Sequence, residues 1–274
     1  MIITDYLYKE LVNEVMDKGE TFLTRNHLAT SLIDARPLIF YDTPLVTIRK
    51  TAWRKALLEM EWFLSAGDPK CPPELADTWW KGQLSTDNSY RFGYSHQLRK
   101  YNGYFDQINT LIDGINNHPY SRRHVITTWN PAEMHEIQEA NQNNNTPTTC
   151  HTTIAQFFVR PSGLHMTSYQ RSADLLLGVP HNWIQSWALL KWIACKTKKH
   201  VSTMRWVLGD VHIYAHKSHT LTAQEIQLIP SPGYLNTNPF QLIYTPTSTK
   251  FLAADFHIEG TIPQPTVTTK PELL

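Results

Sequence analysis

Cysteine is scarce in this chain. Three residues, Cys71, Cys150 and Cys195, are odd in number, widely spaced and without a CxxC pair. That usage argues against a disulfide framework and a zinc site, and it suits a reducing cytoplasm. A charge imbalance is also missing. Twenty-five Lys and Arg against 24 Asp and Glu leave a formal net charge of +1, which offers no global field for gripping nucleic acid, so an anionic partner must be met by local arginines. A small anionic ligand fits better than DNA. Nor is there a long apolar run: the longest apolar region, around residues 183–195, is interrupted by Gln185, Ser186 and Lys191, too short and too polar to span a bilayer. Residues 1–20 carry acids and lysines throughout and do not read as a secretory signal.

What remains is a chain of 274 residues, 41% hydrophobic and 18% charged, long enough to bury a substantial core as one domain spanning 1–274. Thr4 precedes Tyr6, Leu7, Leu11, Val15 and Met16 at helical spacing, with Gly19 after them, which predicts a capped amphipathic helix. A second helix starts at Thr51 and places Trp53, Leu57, Met60 and Leu64 on one face before Gly67. Its Glu59 and Glu61 fall on different faces, so one turns inward toward chemistry while the other is solvated. Residues 68–100, with Pro72-Pro73, Gly82 and Gly93, suit a long irregular segment draped over a site. FDQINTLIDGINNHP reads as a helix closed near Pro119. HVITTWN, TIAQFFVR, LHMTSYQRS and MRWVLGDVHIY, rich in β-branched and aromatic residues, read as strands. Between the last two, HNWIQSWALLKWIACK repeats apolar residues at helical spacing, and Cys195 within it reads as a buried, inert thiol. ANQNNNTPTT, residues 140–149, is a polar loop. Strands and helices without regular βαβ alternation predict an α+β domain with a mixed or antiparallel sheet.

The chemistry concentrates in MTSYQRSADLLLGVPHN, residues 166–182. Arg171 and Ser172 supply a guanidinium fork and a hydroxyl for phosphate oxygens, and Asn182 offers a donor and an acceptor side by side to an amide-bearing ring. Cys150 lies some twenty residues upstream, and thiols become nucleophilic near cations such as Arg171. Read together, SRRHVITTWNP, CHTTIAQFFV, SYQRSADLLLGVPHN and GDVHIYAH resemble, in order and spacing, the thymidylate synthase family, which includes the pyrimidine nucleotide hydroxymethylases. PLVTIRK at 44–50 and EMEWFLSAGD at 59–68 extend the resemblance over most of the chain.

The resemblance implies a thymidylate synthase-like fold, with a mixed β-sheet packed with helices and sheets back to back in a homodimer. It also implies one-carbon transfer from 5,10-methylenetetrahydrofolate to C5 of dUMP through a Cys150 thiolate adduct at C6. Its catalytic set is Cys150, Glu59, Asn182, Trp79, His212 and His181. Phosphate falls to Arg25, Arg171, Ser172 and, from the neighbouring subunit, Arg122 and Arg123; Gln170, Asn182, His212 and Tyr214 complete the nucleotide site. Asp174, Trp79, Leu177, Gly178 and His181 hold the folate. Without the resemblance, Arg122-Arg123 reads as a solvated pair, Arg25 as a loop arginine, Glu59 as an exposed helix acid, Asp174 and Asn182 as caps, and His212 and Tyr214 as core. A non-catalytic nucleotide- or RNA-binding relative is the alternative from a different class.

Asn182 stands where family members acting on uracil carry Asn and those acting on cytosine carry Asp, although an amide can flip its donor and acceptor. Several positions depart from ordinary thymidylate synthases. TRNHLATS replaces the Gly-rich loop near Arg25, the family's second tryptophan beyond Trp79 is missing, and Phe92 stands for a tyrosine. His181 replaces an apolar aromatic, Thr261 a tyrosine and Thr149 a proline, while Gln156 lies one residue too far from Cys150, which predicts a strand bulge. A polar His181 and lost aromatics imply a wetter folate side, and with it 5-hydroxymethyl-dUMP in preference to thymidylate and dihydrofolate.

Overall fold

The structure, a computed structural model, describes residues 1–272 apart from 25, 26, 68, 69, 86, 91, 92, 134–148, 150, 232 and 234–236. Three of the positions singled out above, Arg25, Phe92 and Cys150, lie outside the described residues, as does most of the 140–149 loop. In chain order come α1 (Ile3–Lys18), β1 (Glu20–Leu23), β2 (Leu28–Leu32), β3 (Leu38–Phe40), α2 (Trp53–Leu64), α3 (Pro73–Ala76), α4 (Tyr94–Arg99), α5 (Gln107–Asn117) and β4 (Val125–Thr127). They are followed by β5 (Ile154–Arg160), β6 (Gly163–Asp174), α6 (Val179–Lys196), β7 (Val201–Tyr214), α7 (Lys217–Leu228), β8 (Phe240–Tyr244) and β9 (Phe256–Gly260).

A seven-stranded sheet runs β1-β2-β7-β6-β5-β4, with β3 also on β7, and β8 and β9 form a separate hairpin. β6 and β7 pair in parallel and the other neighbours antiparallel, so the sheet is mixed and the class is α+β. A parallel pair needs a crossover connection, and α6 supplies it. Almost every side chain of α6 from Val179 to Ala194 is buried, because the helix lies between the sheet and α2. Pro180 sits in its first turn, where the missing N–H has no partner to lose, and Lys196 complements the dipole at its end.

Period-two alternation divides the sheet. Met166, Ser168 and Gln170 of β6 and Met204, Trp206 and Leu208 of β7 are buried toward α6, while Tyr169 and Arg205 face outward. Gly209 makes room on the outer face: a Cβ there would meet the Tyr169 hydroxyl at 2.5 Å. Ile39, Val125 and Ile154 are also exposed on sheet strands.

Several local expectations are corrected. α1 starts at Ile3 with Ile2 as an N-cap lacking a side-chain bond, so Thr4 is inside the helix; it is held by buried packing, not by a cap. The 68–100 segment contains α3 and α4. α6 begins at Val179, which puts Asn182 in its first turn rather than at its cap. The β5–β6 register is continuous from Ile154 to Arg160, so no bulge displaces Gln156; the turn before β5 instead holds Thr152 in the left-handed region at φ 49°. Cys195 is exposed, because its position on α6 turns away from the core, whereas Cys71 is buried. No helix among the described residues is long and apolar enough to cross a membrane.

Candidate active site

Glu59 comes from α2 and is 8% exposed. Its Oε1 accepts the indole N–H of Trp80 at 2.5 Å and its Oε2 accepts the amide of Gln185 at 2.6 Å. Burial pushes the carboxyl up to about 7, against the two hydrogen bonds that favour its charged form. Glu61, on the other face, is half-buried and accepts the Ala253 N–H at 2.7 Å, so it caps a turn instead of lying free in solvent.

Residues 182 and 185 stand three apart on α6 and therefore share a face. Asn182 Nδ2 donates to Gln185 Oε1 at 3.2 Å, Gln170 Nε2 donates to Asn182 Oδ1 at 3.0 Å, and Trp206 Nε1 donates to Gln170 Oε1 at 3.0 Å. One turn on, Ser186 and Thr152 share a hydroxyl hydrogen bond at 3.2 Å. Sequence reasoning used Gln185 and Ser186 only to exclude a membrane span. Two further polar residues buried on the same helix as Asn182 were the signal that this face serves a site.

Arg171 follows Gln170 on β6 and so points to the opposite face. Its Nη2 donates to the Thr149 carbonyl at 3.2 Å and its guanidinium lies 4.9 Å from the Trp129 ring centroid. Ser172 lies one residue on, paired with Asp210 in the β6–β7 register. Cys150 is outside the described residues, but both its neighbours are buried: Thr149 donates to the Thr128 carbonyl at 2.9 Å, and the His151 N–H donates to the Tyr94 hydroxyl at 3.4 Å. The His151 ring stacks on Tyr94 at 4.6 Å, and burial drives its pKa down to about 3, so it is neutral.

His212 Nδ1 and Asp210 Oδ1 are 2.8 Å apart, and this hydrogen bond holds the Asp210 carboxyl below its ordinary value. The His212 and Tyr214 rings lie 4.9 Å apart, as their shared strand face requires. β2 borders them, with Ser31 opposite His212 and Ala29 opposite Tyr214. Arg25 lies outside the described residues, in the β1–β2 connection where Thr24 Oγ1 donates to the His27 carbonyl at 2.7 Å. Arg122 and Arg123 are exposed just before β4, two strands from β6.

Asp174 Oδ1 accepts the N–H groups of Leu176 and Leu177 at 3.0 and 2.9 Å, shaping the turn into α6, while its Oδ2 has no hydrogen-bond partner among the described residues. The turn is held from below: Tyr8 donates to the Leu175 carbonyl at 3.1 Å and buried Arg49 donates to that of Leu176. Gly178 leaves space beside Asn182, whose Oδ1 would lie 3.2 Å from a Cβ at that position. A carboxylate oxygen open to a donor, on a rigid turn, fits a nitrogen-rich heterocycle.

His181 and Trp79 meet with ring centroids 4.7 Å apart, and both are partly exposed. The Ala52 N–H donates to His181 Nε2 at 3.2 Å, so the ring proton is on Nδ1 and donates to the Leu177 carbonyl at 2.7 Å. Burial lowers its pKa to about 4. Both ring nitrogens of His181 are therefore occupied within the chain. The tryptophan that reaches Glu59 is Trp80, which sequence reasoning passed over beside Trp79; the doublet hid which ring faced inward. A family model described as thymidylate synthase matches residues 6–272.

Proposed function

Since the chain belongs to the thymidylate synthase family, whose members transfer a one-carbon unit from 5,10-methylenetetrahydrofolate to C5 of a pyrimidine nucleotide, we propose that its substrate is dUMP and its product 5-hydroxymethyl-dUMP. In this reading the Cys150 thiolate adds to C6 and makes C5 nucleophilic, Glu59 moves protons near C4 and C5, and Asn182 holds the uracil edge. Arg171 and Ser172, with Arg25 and the partner subunit's Arg122 and Arg123, take the phosphate, while His212 and Tyr214 take the sugar. Asp174 faces the pterin. The observation that carries the assignment is the unbroken polar chain from Gln170 through Asn182 and Gln185 to Glu59, buried along its whole length.

The product branch rests on His181. Two hydrogen bonds in the plane of its ring fix it at 55° to Trp79, and turning it to stack on a pterin breaks both. A pterin held less firmly delivers hydride less well, and water captures the exocyclic methylene at C5. Water addition yields the hydroxymethyl nucleotide and tetrahydrofolate; hydride transfer yields thymidylate and dihydrofolate. Mass spectrometry of the product from dUMP and methylenetetrahydrofolate separates them by an increment of CH2O against CH2. Thymidylate with stoichiometric dihydrofolate overturns the proposed product. A covalent adduct with 5-fluoro-dUMP and folate is expected of the enzyme and not of a nucleotide- or RNA-binding relative.

We also propose a single catalytic domain acting as a homodimer through the outer face of the large sheet, supported by exposed Ile39, Val125, Ile154 and Tyr169. Unpartnered apolar sheet faces of this kind are covered in stable assemblies. A reducing, cytoplasmic setting is proposed on the strength of the free thiols Cys71 and Cys195.

A further inference from the structure

Five hydrogen bonds link six side chains in one line: Trp206 to Gln170, Gln170 to Asn182, Asn182 to Gln185, and both Gln185 and Trp80 to Glu59. The line has a direction. An indole N–H only donates and a backbone carbonyl only accepts, and the Gln185 amide nitrogen donates to the Ala56 carbonyl at 2.9 Å as well as to Glu59, so the two ends decide how the three amides between them must point. Trp206 requires Gln170 to present its oxygen, which turns the Gln170 amide nitrogen toward Asn182. Ala56 and Glu59 require Gln185 to present its nitrogen, which turns the Gln185 oxygen toward Asn182. Asn182 is thus met by a donor on one side and an acceptor on the other. Reversing its amide sets nitrogen against nitrogen at Gln170 and oxygen against oxygen at Gln185.

We propose that Gln185 and Trp206 are specificity-determining positioning residues: together they lock the Asn182 amide in the single orientation that reads uracil and rejects cytosine. The inference rests on the proposed nucleotide site and deepens it. Asn182 keeps its second Nδ2 hydrogen and second Oδ1 lone pair for a base. Uracil offers an acceptor at O4 and a donor at N3, whereas cytosine offers a donor at its amino group and an acceptor at N3. Cytosine can bind only a reversed amide, and the line forbids the reversal from both ends. Burial makes the lock firm, since Gln185 and Trp206 are 0% exposed and Gln170 1%, so no water replaces a lost partner. The flip of an isolated Asn, which leaves base choice open in the sequence, is closed in the folded chain.

Gln185→Met keeps length and removes both polar ends; Trp206→Phe keeps an aromatic and removes the N–H. Dissociation constants for dUMP and dCMP by calorimetry, with kcat/KM for each, give the preference as a ratio. In each variant the dUMP-to-dCMP ratio is expected to fall about tenfold, equivalent to about 1.4 kcal/mol, and further in the double variant. Gln185→Glu keeps an acceptor toward Asn182 and, with a proton shared between its other oxygen and Glu59 in place of the lost N–H, is expected to retain the ratio of dissociation constants, an outcome that mere repacking does not produce. An unchanged ratio in both single variants, or a ratio lost in Gln185→Glu, overturns the inference. If circular dichroism shows that Gln185→Met does not fold, Trp206→Phe tests the same lock from its other end. Wild-type protein that binds neither nucleotide defeats the proposed function instead, and wild type that binds both equally defeats the lock.

Discussion

Trp80 donates its indole N–H to Oε1 of Glu59 at 2.5 Å, and this contact joins the buried carboxyl to an aromatic cluster formed with Trp62 and Tyr90. The bond favours the ionised carboxyl against the burial that raises it to about 7. Trp80→Phe keeps the packing and removes one charge-assisted hydrogen bond, worth roughly 1.5–3 kcal/mol. The Glu59 inflection in the pH profile of kcat/KM is expected to move up by about one unit. An inflection that stays in place would separate Trp80 from the proton transfers.

Burial of imidazoles makes the fold sensitive to acid. His151 and His181 are lowered from 6.5 to about 3 and about 4, so below pH 6.5 the unfolded chain binds protons that the folded chain refuses. Their contribution is complete above pH 6.5 and is lost as pH falls through the folded values. Glu59 works oppositely: raised from 4.5 to about 7, it favours folding below pH 4.5 and loses that contribution as pH rises through 7. His181→Phe removes one imidazole, and denaturation between pH 4.5 and 6.5 is expected to show a stability slope shallower than the parent's by up to about 1.4 kcal/mol per pH unit. A parallel slope in the two proteins refutes the assignment.

Asn182→Asp replaces the amide NH2 with an acceptor. The carboxyl, once protonated, donates to cytosine N3 while its other oxygen accepts from the amino group, so preference is expected to move toward dCMP. Relative turnover of the two nucleotides checks it, and an unchanged ratio counts against the base contact.

The three thiols should behave differently. Cys150→Ala is expected to abolish turnover while dUMP binding survives, measured by calorimetry. Cys71 is buried, with a pKa pushed up to about 12 by burial and by the nearby Glu59. It should resist alkylation at neutral pH, whereas exposed Cys195 should label readily without loss of activity, as peptide mass spectrometry would show.

If Arg122 and Arg123 serve the neighbouring subunit, two inactive proteins complement one another. Mixing Cys150→Ala with the Arg122→Ala, Arg123→Ala double variant restores one site in each mixed dimer, about a quarter of parental activity for random pairing. No recovery after subunit exchange shows that each site is built from a single chain.

The amino-acid order alone carried the elements and the chemistry. Apolar periodicity marked α2, α5 and α6, β-branched and aromatic runs marked β4 to β7, and ordered motifs marked the family and made Glu59, Arg171, Asp174, Asn182 and His212 its candidate site residues, because backbone period and residue chemistry are local properties. Other questions turn on which way a side chain faces. Neighbouring tryptophans look alike in sequence, yet only Trp80 reaches Glu59. Cys195 belongs to an apolar helix and still faces solvent, and His181 is polar but has no free nitrogen. The orientation of Asn182 lies furthest from the sequence. An amide is nearly symmetric by itself, and only contacts between β6, β7, α6 and α2, distant in the chain, supply the fixed donor and acceptor that break the symmetry.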